Sequence, residues 1–160
     1  MLPFLLVLAA AVTPPPAPGG DVVAAPGLIG HWDCAGHFTR TGKPIAATID
    51  IRPGESPNTL SLIHRDKPPT TYRANELWVF GAGAQGGRAA IADASGMRWF
   101  EMEAAPGGIV LARADDKGPL EKFVYTLRGG AAMTVDWLHR GPTAELVVGD
   151  TITCRLIGSE

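Results

Sequence analysis

Several things are missing or scarce in this chain of 160 residues, and each lack narrows what it does. Only two cysteines are present, Cys34 and Cys154, and their separation rules out a CxxC redox centre. No excess of positive charge exists, since 14 Lys and Arg face 16 Asp and Glu, a formal charge of −2. That balance offers no basic stripe for nucleic acid and no polybasic patch for a membrane surface. No apolar run reaches the roughly 20 residues of a membrane-spanning helix. Lysine is also scarce, 4 against 10 arginines, in a chain rich in Ala, Gly and Pro. This is the bias of a GC-rich bacterial genome, and it agrees with a periplasmic home.

The longest apolar run is Phe4-Leu5-Leu6-Val7-Leu8-Ala9-Ala10-Ala11-Val12. It has the length of a signal-peptide core, and Ala9 and Ala11 suit an A-x-A cleavage site. No Lys or Arg precedes it, so the start codon is expected upstream. The segment Pro14-Pro15-Pro16-Ala17-Pro18-Gly19-Gly20 cannot hold a helix or a sheet ladder, and reads as a spacer. Residues 1–20 are therefore expected to be export signal and spacer, and residues 27–160 one domain in a periplasmic or secreted setting.

That domain reads as strands almost throughout. Leu28, Gly30, Trp32, Cys34, Gly36 and Phe38 alternate with Ile29, His31, Asp33, Ala35, His37 and Thr39, and Ile45, Ala47, Ile49 and Ile51 repeat the pattern. Shorter runs follow at 60–64, 72–80, 88–92, 97–102, 109–113, 123–127, 133–139 and 145–156. Turn residues separate them, as at Arg52-Pro53-Gly54, Ala105-Pro106-Gly107-Gly108, Asp115-Asp116-Lys117-Gly118-Pro119 and Arg128-Gly129-Gly130. No amphipathic helix competes. The expectation is all-β, a single antiparallel up-and-down barrel of about 8–10 strands, because closure removes the exposed edges of a meander. Cys34 lies on the first strand and Cys154 on the last, each in phase with apolar neighbours, so a disulfide between them would close the barrel. In the chain-entropy model, a bridge spanning that much chain stabilises by about 4–5 kcal/mol.

Gly30-His31-Trp32, at the head of the first strand, resembles the G-x-W signature of lipocalins, and the strand-rich remainder is similar to the wider calycin-type barrels. The resemblance implies a small apolar ligand held inside the barrel. Only six residues follow Cys154, and Phe38 to Ile45 is a short gap, so neither a C-terminal helix nor a helical lid is expected. Arg155 would correspond to the late arginine that covers the lipocalin tryptophan, but on the opposite parity to Cys154. The segment from His64 to Tyr72 resembles nitrobindin-like haem barrels.

Other motifs reduce to structure. Gly81-x-Gly83-x-x-Gly86 matches the dinucleotide fingerprint, but Gly87 extends the flexible stretch and Ser95-Gly96 leaves no room for the long helix it must open. It reads as a hairpin loop that binds no nucleotide. His31, His37, His64 and His139 form no cluster of metal-ligand spacing and read as surface or loop histidines, with His64 or His139 a candidate axial haem ligand. Asp93-Ala94-Ser95-Gly96 lacks the first glycine of a nucleophile elbow. Glu101 and Glu103 share a face, but Arg98, Phe100 and Met102 make the better buried set, so the glutamates read as solvated.

The aromatic side chains remain. Trp32, Trp78 and Trp99 sit on different strands with Tyr125, and converge if those strands encircle one interior. Arg113 shares parity with Ile109 and Leu111, and an inward arginine needs an anionic partner, either a ligand's acid group or an internal Glu or Asp. The function expected is non-enzymatic binding of a small apolar or amphipathic molecule by Trp32, Trp78, Trp99, Tyr125 and Arg113, without metal or cofactor. A second reading is a protein-binding barrel, such as an inhibitor of an extracytoplasmic hydrolase acting through its loops. A third is a haem-binding barrel. The first expects an internal cavity; the second expects a packed interior and an ordered, protruding loop such as Asp66–Thr71.

Overall fold

The computed structural model describes residues 26–81 and 86–158. The expected export signal and spacer lie outside the described residues, as do residues 82–85 of the glycine-rich loop. A turn of 3-10 helix at Pro26–Leu28 leads into ten strands. They are β1 (Gly30–Phe38), β2 (Pro44–Pro53), β3 (Thr59–Asp66), β4 (Arg73–Phe80), β5 (Gly86–Asp93), β6 (Gly96–Ala105), β7 (Gly108–Asp115), β8 (Gly118–Arg128), β9 (Ala132–Arg140) and β10 (Leu146–Gly158). Each pairs antiparallel with the next, and β1 pairs with β10, so the sheet closes into an up-and-down barrel. A closed antiparallel barrel of ten strands fits the lipocalin-like architecture expected from Gly30-His31-Trp32.

The expected disulfide is present. Cys34 and Cys154 face each other directly in the β1–β10 register and are bonded across 120 residues of chain. The bond therefore crosses the seam where a linear chain becomes a closed sheet. Among the described residues, no helix is long and apolar enough to cross a membrane.

Period-two alternation decides what lies inside. Trp32, Ile49, Ile51, Leu60, Trp78 and Leu111 are completely buried, and Phe100 and Tyr125 nearly so. The interior is zoned along its axis. At the end where β1 begins it is apolar, and the Trp32 indole N–H donates to the Leu28 carbonyl at 2.9 Å, tying the 3-10 turn to the barrel. Arg155 faces outward and is exposed, so this carbonyl rather than an arginine partners the tryptophan. The opposite end carries charged side chains.

Three irregularities shape that charged end. The sequence pattern begins the eighth strand at Phe123, whereas β8 extends back to Gly118, and the turn from β7 is correspondingly tight. Register shifts there, with Arg113 opposite Glu121 but Ala114 opposite Pro119, so Leu120 is an extra residue. A bulge bends its strand, and Pro119 has no N–H for the ladder. On the other flank, β7 pairs with β6 only from Glu101–Ala112 to Ala105–Gly108. Past that point the two strands run on without pairing, and the wall parts. In β10, Gly149 is a second extra residue, and a Cβ there would stand 2.4 Å from the Trp137 ring.

The glycine-rich segment connects two strands, as expected. The Gly81 N–H donates to the Gly86 carbonyl at 2.7 Å, and β5 begins at Gly86, where a nucleotide site would require a helix.

Candidate functional site

The charged end is assembled from inward positions on several strands. His64 and Asp66 come from β3, Glu76 from β4 and Asp93 from β5. Arg98 (β6), Arg113 (β7), Glu121 (β8), Trp137 and His139 (β9) and Asp150 (β10) complete the ring. Its centre is Glu121, only 5% exposed. One carboxylate oxygen accepts from Arg98 Nη1 at 2.5 Å and from Trp137 Nε1 at 2.9 Å; the other accepts from Arg113 Nη2 at 3.1 Å. Arg98 also donates to Asp93, whose carboxylate is held by the backbone and hydroxyl of Ser95. Burial pushes Asp93 up, but the Ser95 bonds and the Arg98 charge outweigh it and leave the carboxyl below its ordinary value. Both guanidinium groups lie over the Phe100 ring, at 5.9 and 5.8 Å. The Nε of each is buried without a partner.

Deeper in the barrel, Glu76 marks the boundary between the zones. It accepts from Trp78 Nε1 at 2.8 Å and, more loosely, from the Tyr125 hydroxyl at 3.4 Å. Burial pushes its carboxyl up to about 7, while those bonds and the charges of His64 and Arg98 restrain the rise. Burial likewise pushes Asp150 up to about 6. The hydroxyls of Tyr72 and Tyr125 are raised by burial and by the Glu76 charge.

The structure brings together three of the four aromatic residues expected to converge. Trp32, Trp78 and Tyr125 are inside, and Trp78 meets Tyr125 edge to face at 4.9 Å. Trp99 is not with them, which corrects the expectation. It lies on the outer wall, 64% exposed. The alternation that buries Phe100 and Met102 sends Trp99 outward, so one strand could not supply both rings to the interior. Arg113 points inward as expected, and its anionic partner is an internal carboxylate, Glu121.

The histidines also need correction. His31 and His37 are on the outer face, with His31 Nδ1 at 2.9 Å from Asp50. His64 and His139 are not surface residues; both line the charged interior. His64 Nε2 is 3.0 Å from Asp66 and its ring meets the edge of Tyr72, while His139 stacks against Trp137. Glu101 and Glu103 are solvated, as their parity implied. Among the described residues, no group of three or more His, Cys, Asp or Glu side chains is placed to hold a metal ion.

Glu121 was missed because the loop preceding its strand read as turn. The available signal was its phase, since Glu121, Phe123 and Tyr125 share one face once the strand starts earlier.

Two cavities stand out, both on the outside, and neither is the internal cavity that the small-molecule reading expected. One, of about 560 Å³, lies where the chain enters the barrel, beside His31 and Asp50. The other, of about 230 Å³, is the cleft where β6 and β7 part. Arg88, Trp99 and Ala114 form its rim, and Phe100 and Arg113 reach it from the interior. Compared with known proteins, the sequence matches no family model and no curated protein.

Proposed function

We propose that this is an exported, non-enzymatic barrel that binds a small amphipathic molecule at its charged half. The lipocalin-like resemblance of the first strand supports the same reading. In it, Trp78 and Tyr125, over Trp32, make the apolar floor, and Arg113 is the polar anchor. The supporting observation is Arg113 itself, an inward arginine with one bond to Glu121 and a buried Nε without a partner. A carboxylate or comparable acceptor on a ligand would complete it. The disulfide is compatible with an oxidising, exported location. The test is tryptophan fluorescence titrated with long-chain acids and flat hydrophobic dyes. A saturable response is expected, and Arg113→Met should weaken binding of an acidic ligand by about 1.5–3 kcal/mol, the range for a charge-assisted bond. No saturable response in the native protein would overturn this reading.

A second reading, protein binding through the loops, is favoured by the connection between β3 and β4. That loop is exposed at Lys67, Pro68 and Pro69, yet ordered. The Lys67 N–H donates to the Ala46 carbonyl at 2.7 Å, the Thr70 hydroxyl to the Lys67 carbonyl at 2.9 Å, and the Lys67 ammonium pairs with Asp33. Substituting Pro68 and Pro69 with alanine would abolish capture of such a partner while leaving small-molecule titrations unchanged.

A further inference from the structure

The cleft between β6 and β7 gives Arg113 a second approach, from outside the barrel, and a ligand chemistry of its own. Where their ladder ends, Phe100 and Arg113 are the first facing positions left unpaired, so two interior side chains become part of an outer cavity. On its other side this end of β7 stays paired with β8, through Ala114–Pro119 and Asp115–Gly118 beyond the bulge at Leu120. The cleft is thus made by backbone geometry and does not depend on a mobile side chain.

Its chemistry is one-sided. Among the described residues, Arg98 has two carboxylates, Glu121 and Asp93, whereas Arg113 has only Glu121, which it shares. The Arg113 side chain is 30% exposed and lines the cleft, while its Nε is buried and lacks an acceptor. At the rim, Arg88 pairs with Glu101 at 3.2 Å, both largely in water, where such a pair contributes little. Arg98 Nε also lacks an acceptor, but Arg98 is 17% exposed and holds two carboxylates, so a ligand has more to gain at Arg113. Beside it stands Trp99, a wide apolar ring that the fold exposes. A cavity of about 230 Å³ is smaller than the usual range for drug-sized ligands, about 300–1,000 Å³, and has room for one ring with its acid group.

We propose that this cleft binds a small aromatic carboxylate, its ring against Trp99 and its carboxylate on Arg113. The proposal rests on the binding reading above and adds to it the lateral site and the class of ligand. Aromatic stacking and a charge-assisted bond to a guanidinium are the two contacts that such a molecule makes and that an aliphatic acid or a neutral ring makes only in half.

Benzoate is the direct probe, followed by nuclear magnetic resonance on the full domain labelled with nitrogen-15. Saturable shifts are expected at the Trp99 indole N–H and the Arg113 Nε–H, with the indole signals of Trp32 and Trp78 unmoved. Benzyl alcohol should bind about 10-fold or more weakly, through loss of the charge-assisted bond. Ala114→Trp, an exposed outer-wall change that fills the cleft, should remove the response, and Trp99→Ala should weaken it. The dispersion and melting temperature of both variants show whether they remain folded. Benzoate binding unchanged by both variants, or equal binding of benzyl alcohol, would overturn the cleft assignment. If dodecanoate binds but benzoate does not, the cleft proposal fails and the barrel reading stands. If neither ligand binds, both fail.

Discussion

Glu121 is the side chain on which the charged half depends, and Glu121→Gln tests that dependence. The replacement keeps the shape and one acceptor oxygen, but removes the charge that Arg98 and Arg113 share and turns an amide NH2 towards a guanidinium. Removing one partner of a buried pair typically costs about 3–5 kcal/mol, because the partner charge stays buried. Here Arg98 keeps Asp93, and Arg113 is 30% exposed and partly screened by water, so the lower part of that range applies, about 3 kcal/mol. For a domain of this size, each kcal/mol shifts the melting temperature by about 4 °C, which predicts a fall of about 12 °C. Arg113→Met removes one longer bond of 3.1 Å and should cost less than half as much. Because Arg113 is part of the uncompensated charge in Glu121→Gln, the double variant should be more stable than the two separate losses imply. Calorimetric melting of the four proteins, with near-ultraviolet dichroism to confirm native packing, measures the coupling. A fall of less than about 3 °C for Glu121→Gln, or strict additivity in the double variant, would refute the account of Glu121 as the shared counter-charge.

Other consequences follow from the same structure. Unreduced peptide mapping should recover Cys34 linked to Cys154, and the double alanine variant should lose about 4–5 kcal/mol to denaturant; two separately alkylatable thiols would contradict the bridged seam. Glu76, raised by burial from 4.5 to about 7, holds its proton longer in the native than in the unfolded state. Stability from this group is therefore full below about pH 4.5 and is lost as pH rises towards 7, by on the order of 3 kcal/mol. Denaturant titrations at several pH values should show that fall, and Glu76→Gln should flatten it and raise stability at pH 8. Gly149→Ala places a Cβ 2.4 Å from the Trp137 ring and should cost about 1–3 kcal/mol through overpacking, with a change in the near-ultraviolet spectrum as Trp137 leaves Glu121.

The sequence alone determined the barrel. Alternation along β1 and β2, turn residues at regular spacing and one cysteine near each end of the domain are local signals, and they add up to closure because a short meander has no other way to cover its edges. Parity was legible as well, and it put Arg113, Trp32, Trp78 and Tyr125 inside and Glu101 and Glu103 outside. Trp99 could have been assigned by the same rule, since Phe100 and Met102 occupy the opposite phase of its strand. What could not be read was where ladders stop and where a residue is inserted. The bulge at Leu120 lets β8 continue back to Gly118 over a stretch that reads as turn, so that Glu121 sits inside a strand, and the Gly149 bulge breaks the alternation between Val148 and Asp150. His64 and His139 share the parity of Leu60 and Leu62 and of Val135 and Trp137, so their phase was legible although their residue type suggested surface. Alternation turns them inward, and Asp66 and Tyr72 beside His64 and Trp137 beside His139 accommodate them there. The zoning of the barrel, the sharing of Glu121 between two arginines and the opening between β6 and β7 depend on register across the closed sheet. Register is a property of strand pairs, so only the tertiary structure decided these features.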